Sequence, residues 1–128
     1  MNRKILLSLL VLLVGIIMQG NAQKTSFDKS AFYDAMASSN LHEINTQLNI
    51  VRGISASEKE AYEGALLMKK AGLITRAKDK LSLFKSGRLK LEASLKKDNK
   101  NIEFYFLRLI IQEHAPKIVN YRAELEND

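Results

Sequence analysis

Apolar residues recur at intervals of three and four along almost the whole of this chain, and that spacing confines it to helices. Alternation with period two, which a half-buried strand requires, is not sustained anywhere for long. A single proline, Pro116, occurs in the sequence, and no stretch beyond residue 22 is rich in glycine, serine or repeats of one residue. The fold class this implies is all-α, with about six helices forming three antiparallel helix hairpins in a stack or small bundle.

The helix limits follow from local chemistry. The first helix is expected from about Ser26 to Ala37, with Phe32, Ala35 and Met36 inward. Asn40 followed by Glu43 has capping-box spacing and opens a second helix with Leu41, Ile44, Leu48 and Val51 inward, stopped by Gly53. Ser57 and Glu60 repeat that cap signal for a third helix ending near Gly72. Ala61, Gly64, Ala65, Met68 and Gly72 keep one of its faces low enough for another helix to come near. A fourth helix from about Thr75 to Lys97 places Ala77, Leu81, Phe84, Arg88, Leu91 and Leu95 on one stripe, widened by Lys85 and Leu89. Gly87 sits in its middle, where glycine costs about 1 kcal/mol relative to alanine, so either a neighbouring backbone approaches there or the helix bends.

After the polar turn Asp98-Asn99-Lys100-Asn101, nearly every position from Ile102 to Ile111 is apolar. That covers most of a helix circumference, so this segment is expected inside the domain with neighbours on more than one side. Pro116 then starts a last helix to about Glu126, with Ile118, Val119, Tyr121 and Leu125.

Residues 1–22 read as an export address. Arg3 and Lys4 precede an uncharged run from Ile5 to Met18, and Gly20-Asn21-Ala22 supplies small residues before Gln23. The run falls short of the ~20 residues that span a bilayer, which favours cleavage after Ala22 over a permanent anchor. Residues 23–128 then form a single helical domain with no transmembrane segment, exported to the periplasm or secreted. Its core must hold without staples, since cysteine is absent.

Charge is unevenly distributed. Of the formal +6, the segment 69–100 carries eleven basic residues against Asp79, Glu92 and Asp98, while both flanks are mildly acidic. Such a block can attract anionic partners, or be satisfied within the fold by the acidic flanks.

The run Ser94 to Tyr105, in which Asp98-Asn99 precedes Glu103, Phe104 and Tyr105, is similar to the junction between successive repeats of tetratricopeptide-type proteins. Tyr62, Gly64 and Ala65 are a weaker echo. The resemblance covers about a third of the chain and implies a tetratricopeptide-like arrangement of hairpins, without a peptide-binding site. Asn99 stands where the family has proline, and the pairs starting near residues 27, 57 and 101 are unevenly spaced. Taken whole, the chain also resembles short exported helical proteins of unassigned function from Gram-negative bacteria.

Chemistry-bearing motifs are few. His42 and His114 lack neighbours at ligand spacing, so no metal or other cofactor is implied, and His114 is expected to face the terminal carbonyls of its helix. Glu60 and Glu63 read as a solvated first turn rather than an acid–base pair. Lys85-Ser86-Gly87-Arg88 lacks the glycines of a phosphate loop. Arg108 interrupts an apolar helix, and a buried arginine requires partners. Three readings are open: an internal pair with a carboxylate such as Glu63 or Glu92, surface exposure, or partner recognition together with Tyr105 and Gln112. Lys69, Lys70, Lys96 and Lys97 are the corresponding candidates in the basic block.

The function these features imply is a non-enzymatic interaction module of the cell envelope, its partner another envelope protein. The alternative is a binder of anionic envelope surfaces, lipid headgroups or acidic glycans, through residues 69–100. A small enzyme is the remaining option. Nucleic acid is not an expected partner, since export removes the chain from it and the basic block lacks interleaved aromatics.

Overall fold

The computed structural model describes residues 27–114, which form five helices and no strand: α1 (Lys29–Ala37), α2 (Leu41–Gly53), α3 (Lys59–Leu73), α4 (Ala77–Lys97) and α5 (Ile102–His114). The expected leader at 1–22 and last helix at 116–126 lie outside the described residues. None of the described helices is long and apolar enough to cross a membrane.

Short polar side chains set several of the helix ends. Asp28 caps α1 by accepting from the Ser30 amide at 2.9 Å, so the helix starts after the expected Ser26. Phe27, just before that cap, meets Phe32 at a ring separation of 5.8 Å, a hydrophobic staple that fixes how the chain enters. Asn40 caps α2 through the amides of His42 and Glu43, as its spacing predicts. The Glu43 carboxylate accepts from the Asn40 side-chain amide, and the Asn40 backbone N–H donates instead to the Ser38 hydroxyl.

Two predicted end signals act differently. Ser57 does not cap α3; the cap position is Glu58, without a side-chain hydrogen bond, and Glu60 reaches Lys90 rather than back along its own helix. Gly53 is the last helical residue of α2, with no left-handed backbone, and the chain leaves the helix through extended Ile54.

Helix α3 occupies the middle. Packed against α2, α4 and α5, it buries every residue from Ala61 to Met68. Its most extensive contact is with α4, which runs antiparallel to it: Glu60 meets Lys90, and Gly64 meets Gly87 and Leu91. A Cβ built on Gly64 would lie 2.6 Å from the Gly87 carbonyl oxygen, and one on Gly87 would lie 2.5 Å from that of Gly64. Backbone rests on backbone at this crossing, which settles the choice left open for Gly87. Helix α2 packs on both α1 and α3, which also meet directly where the Phe32 ring centre lies 5.0 Å from that of Tyr62, and the core is filled by Phe32, Ile44, Tyr62, Leu66, Leu91 and Leu107.

Of the stripe expected on α4, the part nearest the crossing, Phe84, Leu91 and Leu95, is buried and the rest is not. Phe84, Gly87, Leu91, Ser94 and Leu95 are buried, whereas Ala77, Leu81 and Lys85 are exposed and Leu89 is 63% exposed on the opposite side. Leu41 is likewise exposed at the start of α2, and Gln47 is buried instead.

The expectation for α5 holds in part: it has neighbours on more than one side, α3, α4 and the Lys29 and Tyr33 side chains of α1, but it is not covered all round. It buries Phe104, Leu107, Ile111 and Gln112 along one side, while Ile102, Tyr105, Phe106 and Leu109 are exposed. The position with neighbours all round belongs to α3, whose Ala61, Gly64, Ala65 and Ala71 let helices approach from several directions.

Opposite signs are expected for two Gly→Ala substitutions. Gly64→Ala forces a methyl against backbone that cannot yield unless α3 and α4 part, an overpacking cost of about 1–3 kcal/mol that exceeds the helix-propensity gain of roughly 1 kcal/mol. Gly53→Ala meets nothing within 4 Å and should raise stability by about 0.5–1 kcal/mol. Urea unfolding midpoints of both variants check this, and a loss at Gly53→Ala would restore that residue as a left-handed helix stop.

Candidate interaction surface

The candidate residues do not form one patch. Tyr105, Arg108 and Gln112 share the side of α5 that faces α4. Arg108 Nη1 lies 3.5 Å from Glu92 Oε2, with the guanidinium carbon 5.3 Å from the Tyr105 ring centre. The pairing is thus with Glu92, one of the two carboxylates expected. The Tyr105 hydroxyl donates to the Asn99 carbonyl at 3.1 Å, tying the polar turn to the first two turns of α5. Gln112 is buried at 1% exposure, so it stands behind this surface rather than on it.

The four lysines split between two ends of the α3–α4 pair. Lys96 and Lys97 are exposed at the end of α4, beside the start of α5. Lys69 and Lys70 are half-buried near the end of α3, and Lys69 stands on a groove that also includes His114 of α5. His114 donates from Nδ1 to the Ile110 carbonyl at 2.8 Å, the helix-end contact expected of it.

The groove lies between α1, α3 and α5 and holds about 510 Å³. Tyr33, Met36 and Ala37 form one wall, Met68, Gly72 and Leu73 another, and Phe106, Ile110 and Ile111 the third, with Phe84 beneath. The lining is mainly apolar and contains no carboxylate, and its volume falls within the range of about 300–1,000 Å³ typical of small-molecule sites.

Two carboxylates that the sequence did not single out as buried anchors tie the helices together. Glu63 is not part of a solvated turn: it accepts from Arg52 Nε at 2.8 Å and lies 3.4 Å from Lys90 Nζ, linking α2, α3 and α4. Lys90 also donates to Glu60 at 2.8 Å, and that contact is the main reason its pKa is raised. Burial alone would push Glu63 up, but Arg52 and Lys90 more than offset it, so its pKa is lowered.

Glu103 does the same between α1 and α5, accepting from Lys29 at 2.8 Å and the Tyr33 hydroxyl at 3.0 Å. Burial again pushes it up and these donors bring it below the ordinary carboxylate value. Tyr33 is raised well above a free phenol, by burial first and then by its bond to Glu103. Neither cluster was legible beforehand, because their members stand 11 to 30 positions apart around Glu63 and 70 or more apart around Glu103, on different helices, and carry no mutual spacing signal. Among the described residues, no three histidine, aspartate or glutamate side chains gather as a metal site would require.

Because Glu63 and Glu103 are lowered on folding, both favour the folded state above pH 4.5, and that contribution is lost as the pH falls through their folded values. Unfolding free energy should therefore hold between pH 7 and about 5 and drop below about 4.5. Glu63→Gln should cost about 1–3 kcal/mol at pH 7 and flatten the acid limb. Denaturant titrations at a series of pH values test both, and an equally steep acid limb in Glu63→Gln and Glu103→Gln would refute the assignment.

No family model matches the chain, and no curated protein or solved structure matches it either.

Proposed function

We propose that this protein is an exported, non-enzymatic helical module of the bacterial cell envelope that meets another envelope protein through the outer face of α5. The observation that carries the reading is the spacing of Ile102, Tyr105, Phe106 and Leu109. These four exposed apolar side chains follow an i, i+3, i+4, i+7 pattern, the strip against which an amphipathic partner helix packs. Ile102 is 83% exposed, far beyond what a helix this apolar retains when fully covered. Arg108, held by Glu92 and Tyr105, gives the strip a fixed polar edge. Lys96, Lys97 and Lys100, exposed at its start, suit a partner helix with flanking carboxylates.

Export rests on the leader at residues 1–22. The finer architecture in this proposal is a tetratricopeptide-like set of three hairpins, α1 with α2, α3 with α4, and α5 with residues 116–126.

A photo-crosslinking residue at Leu109 should capture a defined envelope protein in cells, and Tyr105→Ala should weaken the isolated complex about 10-fold or more. Crosslinking no better than background at 102, 105 and 109 alike would defeat the reading.

The second reading, attachment to an anionic envelope surface, is favoured by the exposure of Lys78, Lys85, Lys96, Lys97 and Lys100. It requires binding to acidic vesicles that falls steeply between 0.05 and about 0.5 M salt, as exposed charges are screened, and that is reduced in Lys96→Glu/Lys97→Glu. Binding that is absent or indifferent to salt rejects it.

A further inference from the structure

The groove between α1, α3 and α5 lies on the flank of α5 away from Tyr105 and Arg108, and it shares only Phe106 with the partner strip. Its α5 wall is formed by Phe106, Ile110, Ile111 and His114. His114 is the last described residue of that helix and lines the groove, so the residues that follow it start from the groove's own edge.

The C-terminal segment is patterned to fit there. In residues 116–126, Ile118, Tyr121 and Leu125 recur at three and four, whereas Lys117, Asn120 and Glu124 fall elsewhere on the circumference. Pro116 suits the first turn of a helix and disfavours a straight continuation of α5. We propose that residues 116–126 fold back antiparallel to α5 as an amphipathic helix that seats Ile118, Tyr121 and Leu125 in this groove.

Reach, concentration and charge all favour this occupant. At 1.5 Å per residue the segment spans about 16 Å, which returns it to the level of Phe106. A segment tethered at the groove's edge has an effective concentration in the millimolar range, well above that of a separate partner or a second copy. The acidic end, Glu124, Glu126 and Asp128, is carried toward exposed Lys29 and Lys100, while the lining itself presents no carboxylate to repel it.

The absence of cysteine makes the test clean. Ala37→Cys places a thiol on the α1 wall, and in the full chain it should react with a maleimide at least 10-fold more slowly than the same thiol combined with Ile118→Asp/Leu125→Asp. Asn120→Asp/Ala123→Asp adds the same charge to the opposite face and should preserve the protection. Equal rates with and without the inner-face aspartates would overturn the proposal. Protection that vanishes on dilution would overturn it in favour of a second copy, and protection lost on delipidation in favour of a bound amphiphile. A further measurement needs no disruptive charge: Ile110→Cys/Tyr121→Cys should close an intramolecular disulfide under mild oxidation in a monomer, and failure to do so, or closure only between chains, would equally overturn it.

Discussion

Everything in this fold hangs on the crossing of Gly64 and Gly87. Each lacks the Cβ that would otherwise strike the other's carbonyl oxygen, so α3 and α4 approach at backbone rather than side-chain distance. The close approach puts Leu67 and Met68 directly against α4 and leaves the other sides of α3 to α2 and α5. A central helix buried over eight consecutive residues follows from that geometry. Had either position carried a methyl, the pair would separate, and Leu66, Leu91 and Leu107 would lose part of the packing that now buries them completely.

The charged groups are arranged around the same helix. Glu60 and Glu63 take Lys90 from the basic block and Arg52 from α2, while Glu92 takes Arg108 from α5. The uneven charge along the chain is thus partly an internal complement, in which acidic groups of α3 and α4 hold cations on neighbouring helices. What is left over is the exposed lysine on the outer side and far end of α4, where mutual repulsion keeps the surface hydrated.

How much of this could be read beforehand depended on whether a residue's role is local. Asn40, Asn101, the ends of α4 and the start of α5 were legible to within about two residues, because caps and turns act within one turn of backbone. Phe32, Ile44, Leu48, Val51, Leu91 and Leu95 were legible as core from periodicity. Which helix would be central was not. Counting apolar residues favours Ile102–Ile111, but centrality requires small residues that admit neighbours, and Gly64 with its flanking alanines outweighs a richer set of large side chains. Leu81 and Leu89 were misplaced for a related reason: a stripe read from hydrophobicity alone ignores that the closest backbone contact, at Gly87, sets which way a helix faces. For the interaction surface, Arg108 and Tyr105 stood out because a cation within an apolar run is anomalous in one dimension. The strip they border was visible only once half of α5 was seen to be uncovered.

That half-covered helix carries the functional argument. Its apolar residues divide into three sides: Phe104, Leu107 and Ile111 buried against the core, Phe106 and Ile110 turned toward the groove beside α1, and Ile102, Tyr105 and Leu109 facing out toward the α4 flank. A single additional helix of ordinary width covers an arc comparable to one of the two remaining sides. If the C-terminal segment takes the groove side, to which it is tethered, Ile102, Tyr105 and Leu109 stay available, and the partner strip shares only Phe106 with the chain's own tail. The helix would then be apolar all round for a reason that neither side alone supplies, one arc for the core, one for the protein's own closure and one for another molecule.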